Sequence, residues 1–122
     1  MKYVRMYADN NGDSHFEDVE VEMSLVEFAP PAPPLDVSAL MPSTNIAFLH
    51  APAGWDGPPH PAPRRLLFIY LRGDSEIAVS DGEVRRFGPG SVVLVEDTSG
   101  KGHASRAVGN DSVIAVVVQL AD

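Results

Sequence analysis

Residues 54–73 read GWDGPPHPAPRRLLFIYLRG, and residues 88–103 read GPGSVVLVEDTSGKGH. In the first stretch five residues separate Gly54 from His60, and a dense apolar run between Arg65 and Arg72 ends at Gly73. In the second, Gly88-Pro89-Gly90 turns the chain into the run Ser91 to Val95, and His103 follows Gly100-Lys101-Gly102. Short apolar runs bounded by Gly and Pro read as strands. The pattern predicts strand–turn units that each deliver one imidazole.

The same rhythm continues outward. Ile77 and Val79 alternate with Glu76 and Ala78 between Ser75 and Ser80, and Asp81-Gly82 is the signal of a two-residue type I′ hairpin. Val84 to Phe87, His103 to Val108 and Val113 to Leu120 read as further strands, as does Asn45 to His50. Near the start, Val4 and Met6 flank Arg5, and Val19 and Val21 alternate with Glu20 and Glu22, predicting strands over Lys2–Tyr7 and Phe16–Met23. Asn10-Asn11-Gly12-Asp13 reads as the turn between them. Pro30-Pro31-Ala32-Pro33-Pro34 cannot feed a sheet ladder, so it predicts an extended connector lying across a surface. No stretch shows helical periodicity of useful length. Eight or more short strands predict an all-β sandwich or barrel, with a jelly roll enclosing a lumen preferred.

Composition bounds the function. The chain has 122 residues, suited to one domain, and 44% of them are hydrophobic. Its formal net charge of −8 repels nucleic-acid phosphates and anionic lipid. The only basic clusters are the pairs Arg64-Arg65 and Arg85-Arg86. Neither nucleic acid nor a membrane is expected as a partner. The opening residues MKYVRMYADN lack the apolar core of a signal peptide. Zero cysteines exclude disulfides and thiolate metal sites, and suit a cytoplasmic address. No Gly-x-Ser-x-Gly pattern supports nucleophilic hydrolysis.

The spacing of Gly54, His60, Gly73, Gly88, Gly90 and His103 resembles the two motifs of the cupin family. That resemblance spans roughly residues 45–120, with residues 1–40 outside it as N-terminal strands and a Pro-rich segment. It implies one small cupin domain over 1–122, folded as a double-stranded β-helix (jelly-roll barrel). In metal-binding cupins three histidines and a glutamate hold Fe, Mn, Ni or Zn. Here the second histidine position falls on Ala62 and the glutamate position on Leu66, leaving His60 and His103. Two imidazoles fall short of the three or four protein donors that metal sites use. His50 is a candidate third donor, and Glu96, Asp97 and Asp56 are candidate carboxylates.

If His60 faces the lumen on an unbroken strand, period-two alternation sends Ala62, Arg64, Leu66, Phe68 and Tyr70 inward with it. Such a lining suits an organic ligand with an anionic or carbonyl group. Pro61 and Pro63 leave open a bulge that turns Arg64 outward. Trp55, in the motif loop, is a candidate ligand wall or dimer contact, with core packing as its alternative. His15 reads as a surface or interface residue. Two functions follow: a metal-dependent enzyme acting on a small organic acid, or a ligand-binding or sensor barrel without metal or catalysis. Cupins commonly dimerise through an added N-terminal strand, so Lys2–Tyr7 and Phe16–Met23 are expected at a homodimer interface.

Overall fold

The computed structural model describes residues 1–122 as twelve strands. They are β1 Lys2–Ala8, β2 Ser14–Glu20, β3 Met23–Val26, β4 Leu35–Ser38, β5 Ser43–Ala51 and β6 Asp56–His60, then β7 Leu66–Arg72, β8 Asp74–Val79, β9 Val84–Phe87, β10 Val92–Glu96, β11 His103–Val108 and β12 Val113–Leu120. No helix is long and apolar enough to cross a membrane.

Two sheets face each other. One holds six strands in the order β2-β1-β10-β7-β12-β5, and the other holds four in the order β6-β11-β8-β9. All pairings are antiparallel except β1 with β10. The alternation read in the sequence is what fills the space between them. Ile77 and Val79 from β8, Val113 and Ala115 from β12, and Met6 from β1 all enter one buried cluster. Phe16, Tyr70, Phe87, Val93, Val95 and Ala107 complete its larger part. This is the expected double-stranded β-helix.

Several expectations change in detail. The predicted strand over Phe16–Met23 ends at Glu20, and Met23 opens a separate two-stranded ribbon with β4. The Pro-rich segment is the exposed connection at the tip of that ribbon, not a strap across a surface. The Gly/Pro loop after Gly54 contains β6, an edge strand that carries Pro58 and Pro59 where its register with β11 shifts, one of the places a strand tolerates proline. The Asp81-Gly82 hairpin is not type I′, because only Gly82 has positive φ, at 101°. Its loop is three residues long: Val79 donates to Glu83 and Gly82 donates back to Val79. The strand Lys2–Tyr7 lies inside its own sheet between β2 and β10, and β2, which takes in the start of the predicted Phe16–Met23 strand, stands at the edge of that sheet.

A cluster of charges ties three turns together beside β2. His15 Nε2 lies 2.7 Å from Asp9 Oδ2, and its Nδ1 lies 2.8 Å from Asp81 Oδ2. Lys101 Nζ donates to Asp13 Oδ1 at 2.8 Å. Hydrogen bonds that the His15 ring donates to Asp9 and Asp81 hold its pKa above the ordinary value. His15 in turn lowers Asp9, and the Glu83 amide followed by His15 lowers Asp81. The raised histidine stabilises the fold fully below its unfolded pKa, about 6.5, and that contribution is lost as pH rises through the folded value. The depressed aspartates act in the opposite sense, losing their contribution only as pH falls below their ordinary range.

Thermal unfolding of wild type and His15→Gln across pH 5–9 should therefore show the largest stability difference near pH 5–6. The difference should shrink as pH rises past neutrality. A gap that stays constant between the acid and alkaline ends would show that the His15 ion pairs add nothing.

Candidate functional site

β7, β11 and β12, with the ends of β5 and β6, enclose a cavity of about 380 Å³. That lies at the lower end of the ~300–1,000 Å³ of small-molecule sites. Trp55, His60, Phe68, Tyr70 and His103 all line it, as the sequence led us to expect, and His50 joins them. Arg64 does not. It is exposed and donates to Gln119 Oε1 at 3.2 Å.

The misplacement of Arg64 has a local cause. Alternation from His60 assumed one continuous strand, but β6 ends at His60 and β7 begins at Leu66. Pro61 and Pro63 remove two backbone donors, so the ladder stops and the chain crosses from the four-stranded to the six-stranded sheet. Ala62 is buried in that crossing and donates its amide to the Asp97 carbonyl at 2.9 Å. Leu66 packs against the core cluster. Phe68 and Tyr70 resume the inward alternation from β7, their rings 6.2 Å apart.

The two motif histidines meet at the polar side of the cavity. His103 on β11 sits opposite His60 on β6 in register, and the rings lie 5.2 Å apart. Each ring is fixed through Nδ1. His60 Nδ1 bonds the Pro58 carbonyl at 2.8 Å, and His103 Nδ1 bonds Asp97 Oδ2 at 2.6 Å. A carbonyl only accepts, so Nδ1 of His60 carries the hydrogen, and Nε2 of the neutral ring is the acceptor. No protein group bonds either Nε2.

Asp97 is the residue the sequence could not single out among three carboxylates. It is completely buried, and its Oδ1 has no hydrogen-bond partner. A fixed polar group left partly unsatisfied costs about 1–3 kcal/mol, so it needs a local reason. Here the reason is the orientation of His103. Glu96, one residue earlier, points elsewhere and bonds Arg5 at 2.5 Å and Arg65 at 2.7 Å. Burial raises its pKa, but the two guanidiniums outweigh that and hold it below the ordinary carboxylate range. Asp56 is exposed at the sheet edge, opposite Arg106 in register.

The remaining lining is small or apolar. Ser105 and Ala107 follow His103 inward at period two, so the signal that found His103 also marks them. Tyr70 is buried, which pushes its phenol pKa up, while a bond from Ser75 offsets part of that rise. The phenol therefore stays protonated at neutral pH. Trp55 stands half-exposed at the rim beside Leu49 and His50. Gly57 permits its position: a Cβ there would lie 2.6 Å from the indole ring.

These residues do not fit a resident metal. No three His, Cys, Asp or Glu side chains converge as a donor group. His50 shares the cavity with His60 and His103 without completing such a set.

No family model matches the sequence, and no curated protein matches it. Solved structures do. The Cnp3 cupin domain of Schizosaccharomyces pombe superposes with a TM-score of 0.55 at 18% identity, over 89% of this chain and 73% of that one. An RmlC-like cupin family protein with a double-stranded β-helix fold from Methanocaldococcus jannaschii gives 0.53 at 18% identity, over 84% and 93%. A cupin 2 conserved barrel domain protein from Salinispora arenicola gives 0.50 at 17% identity, over 84% and 76%. The chain has the cupin fold. The likeness at these identities is one of architecture.

Gly102 holds the polar side together. Its φ is +71°, and a Cβ would lie 2.0 Å from the His60 carbonyl oxygen. Gly102→Ala should destabilise the domain by about 2 kcal/mol or more, since a left-handed alanine alone costs roughly 1–2 kcal/mol. Denaturant unfolding checks this. A loss under ~0.5 kcal/mol, the range of an ordinary surface substitution, would show that the loop relaxes freely.

Proposed function

We propose that this barrel binds a small organic molecule in its lumen without a metal. The observation that carries the reading is the pairing of two differently lined sides in one cavity. One side offers Nε2 of His60 and of His103, each ring fixed by a bond at its other nitrogen. The other offers the rings of Phe68, Tyr70 and Trp55 and small apolar side chains. A ligand matching it has an aromatic or aliphatic body and one hydrogen-bond-donating group, such as a phenol, an alcohol or a protonated carboxylic acid. The exposed Arg64 removes the guanidinium that would have favoured an anion. With neither metal nor catalysis required, a carrier or sensor role is the simplest use of such a site.

The Asp97–His103 pair favours a second reading, proton transfer within the lumen. A carboxylate that fixes Nδ1–H leaves Nε2 as the base. The phenol of Tyr70 is a hydrogen-bond donor for developing negative charge on a ligand oxygen. A metal-dependent enzyme would need a third donor beside His60 and His103.

The only tryptophan, Trp55, reports the lumen directly. Titration of the protein with phenol and with benzyl alcohol should change its fluorescence saturably. His60→Ala or His103→Ala, whichever ring takes the single donor of the ligand, should weaken binding about tenfold, the equivalent of one hydrogen bond worth ~1.4 kcal/mol. Arg64→Ala should bind like wild type. Saturable binding that both histidine variants retain in full would overturn the reading, as would a strong loss in Arg64→Ala.

A further inference from the structure

A second cavity of about 40 Å³ lies deeper between the two sheets. Its far wall is Met6 from β1, Val93 and Val95 from β10, and Ile77 from β8. All four belong to the core cluster, and none is more than 3% exposed. The near wall is shared: Phe68, Tyr70, His103 and Ser105 line this cavity and the lumen alike.

Strand order explains the division. β7 stands between β10 and β12 in one sheet, and β11 stands between β6 and β8 in the other. From β7 and β11 the lumen extends towards β12, β5 and β6, and the small cavity extends towards β10, β1 and β8. Two side chains from β7 and two from β11, each pair at period two, form the boundary. No residue lining the small cavity is exposed, so it is reached from the lumen, past those four side chains.

We infer that this inner chamber receives a short apolar branch of the lumen ligand, one or two carbons long, on the body that the outer chamber holds. The inference rests on the lumen being the binding site proposed above. A space of this size has room for a water, which needs only ~10–15 Å³, but a buried water also needs two to four polar partners. The far wall of Met, Ile and two Val side chains supplies none, and the polar groups stand only at the boundary. Unfilled space in a core costs stability, and an apolar branch that fills it restores the missing contacts. The ligand class narrows accordingly, from phenols and alcohols in general to those carrying a small alkyl substituent.

Binding of phenol and of the three methylphenol isomers to the full chain, read through Trp55 fluorescence, tests the inference. At least one isomer should bind about fourfold tighter than phenol, the equivalent of one buried methylene. Burial of the methyl group in the outer chamber would give the same gain, so the variants decide its location. In Val93→Ile, whose added methyl enters the inner chamber, the ratio should fall to about one. Ile77→Val, which widens the chamber, should keep the ratio and extend it to the ethyl homologue of the same isomer. Arg64→Ala, outside the lumen, should keep the wild-type ratio. Phenol binding with no isomer favoured would overturn the inner chamber as a ligand subsite, and a water held by His103 and Ser105 would give that result. A preference that Val93→Ile leaves intact would overturn it too. Binding of neither phenol nor any isomer would instead overturn the lumen reading. Denaturant unfolding then reports the chamber separately: Val93→Ile should raise the midpoint by filling a void, and a lowered midpoint would show that no such space exists.

Discussion

The contact between Gly102 and the His60 carbonyl is the constraint on which the polar side of the lumen depends. It brings the β10–β11 loop against the end of β6 at a distance that only a residue without a Cβ allows. Neighbouring bonds share the load. Fully buried Ser14 donates its hydroxyl to the Gly102 carbonyl at 2.6 Å, and its amide bonds Ser80 Oγ at 2.7 Å. The Ala62 amide bonds the Asp97 carbonyl. Strands from both sheets thus meet within a few residues of the two imidazoles. Their spacing is set by backbone and hydroxyl groups, which have little freedom to drift.

That arrangement explains why a carboxylate is tolerated at full burial. Asp97 bonds His103 through Oδ2 and leaves Oδ1 without a partner. Removing a carboxylate from water is costly, and one hydrogen bond offsets only part of the cost. An aliphatic residue there would make a more stable core and a freely rotating His103. The energetic expense is therefore local to the ring that faces the cavity, and such expense concentrates at functional sites. The same buried carboxylate sits between two polar systems that do not share it. Glu96 next to it serves the Arg5 and Arg65 pairs.

Much of this was legible in the chain, and the exceptions have physical causes. Apolar alternation located β8, β11 and β12 to within about two residues, because each buries one face and exposes the other. Glycine and histidine spacing located His60 and His103 on the lumen. Alternation stops between His60 and Leu66, where two prolines interrupt the ladder and the parity count restarts; the inward reading of Arg64 holds only for an unbroken strand, and the outward alternative that Pro61 and Pro63 leave open is the one adopted. Asp97 was one of three carboxylates with nothing in its neighbours to distinguish it, since its burial depends on Ala62 and His103 arriving from elsewhere in the chain. The ribbon was invisible because Met23–Val26 and Leu35–Ser38 are too short to show a period. They pair only because the Pro-rich segment between them folds back.

The balance of polar and apolar surface connects these points to ligand choice. The protein is acidic overall, yet the lumen holds no carboxylate oxygen exposed to it and no guanidinium. Its polar groups are imidazole, phenol and hydroxyl, which make neutral hydrogen bonds. Discrimination in such a site comes from leaving a buried polar group unpaired when the wrong ligand enters. On the proposed ligand-binding reading, two acceptor rings with centroids 5.2 Å apart would disfavour a purely apolar molecule, above all at His103, the less exposed of the two. On the same reading they would accept a molecule whose single donor serves one ring while the other stays hydrated at the rim. The close approach at Gly102 would then carry through to selectivity: were the two rings free to separate, each would keep its water and the proposed site would distinguish ligands by size alone.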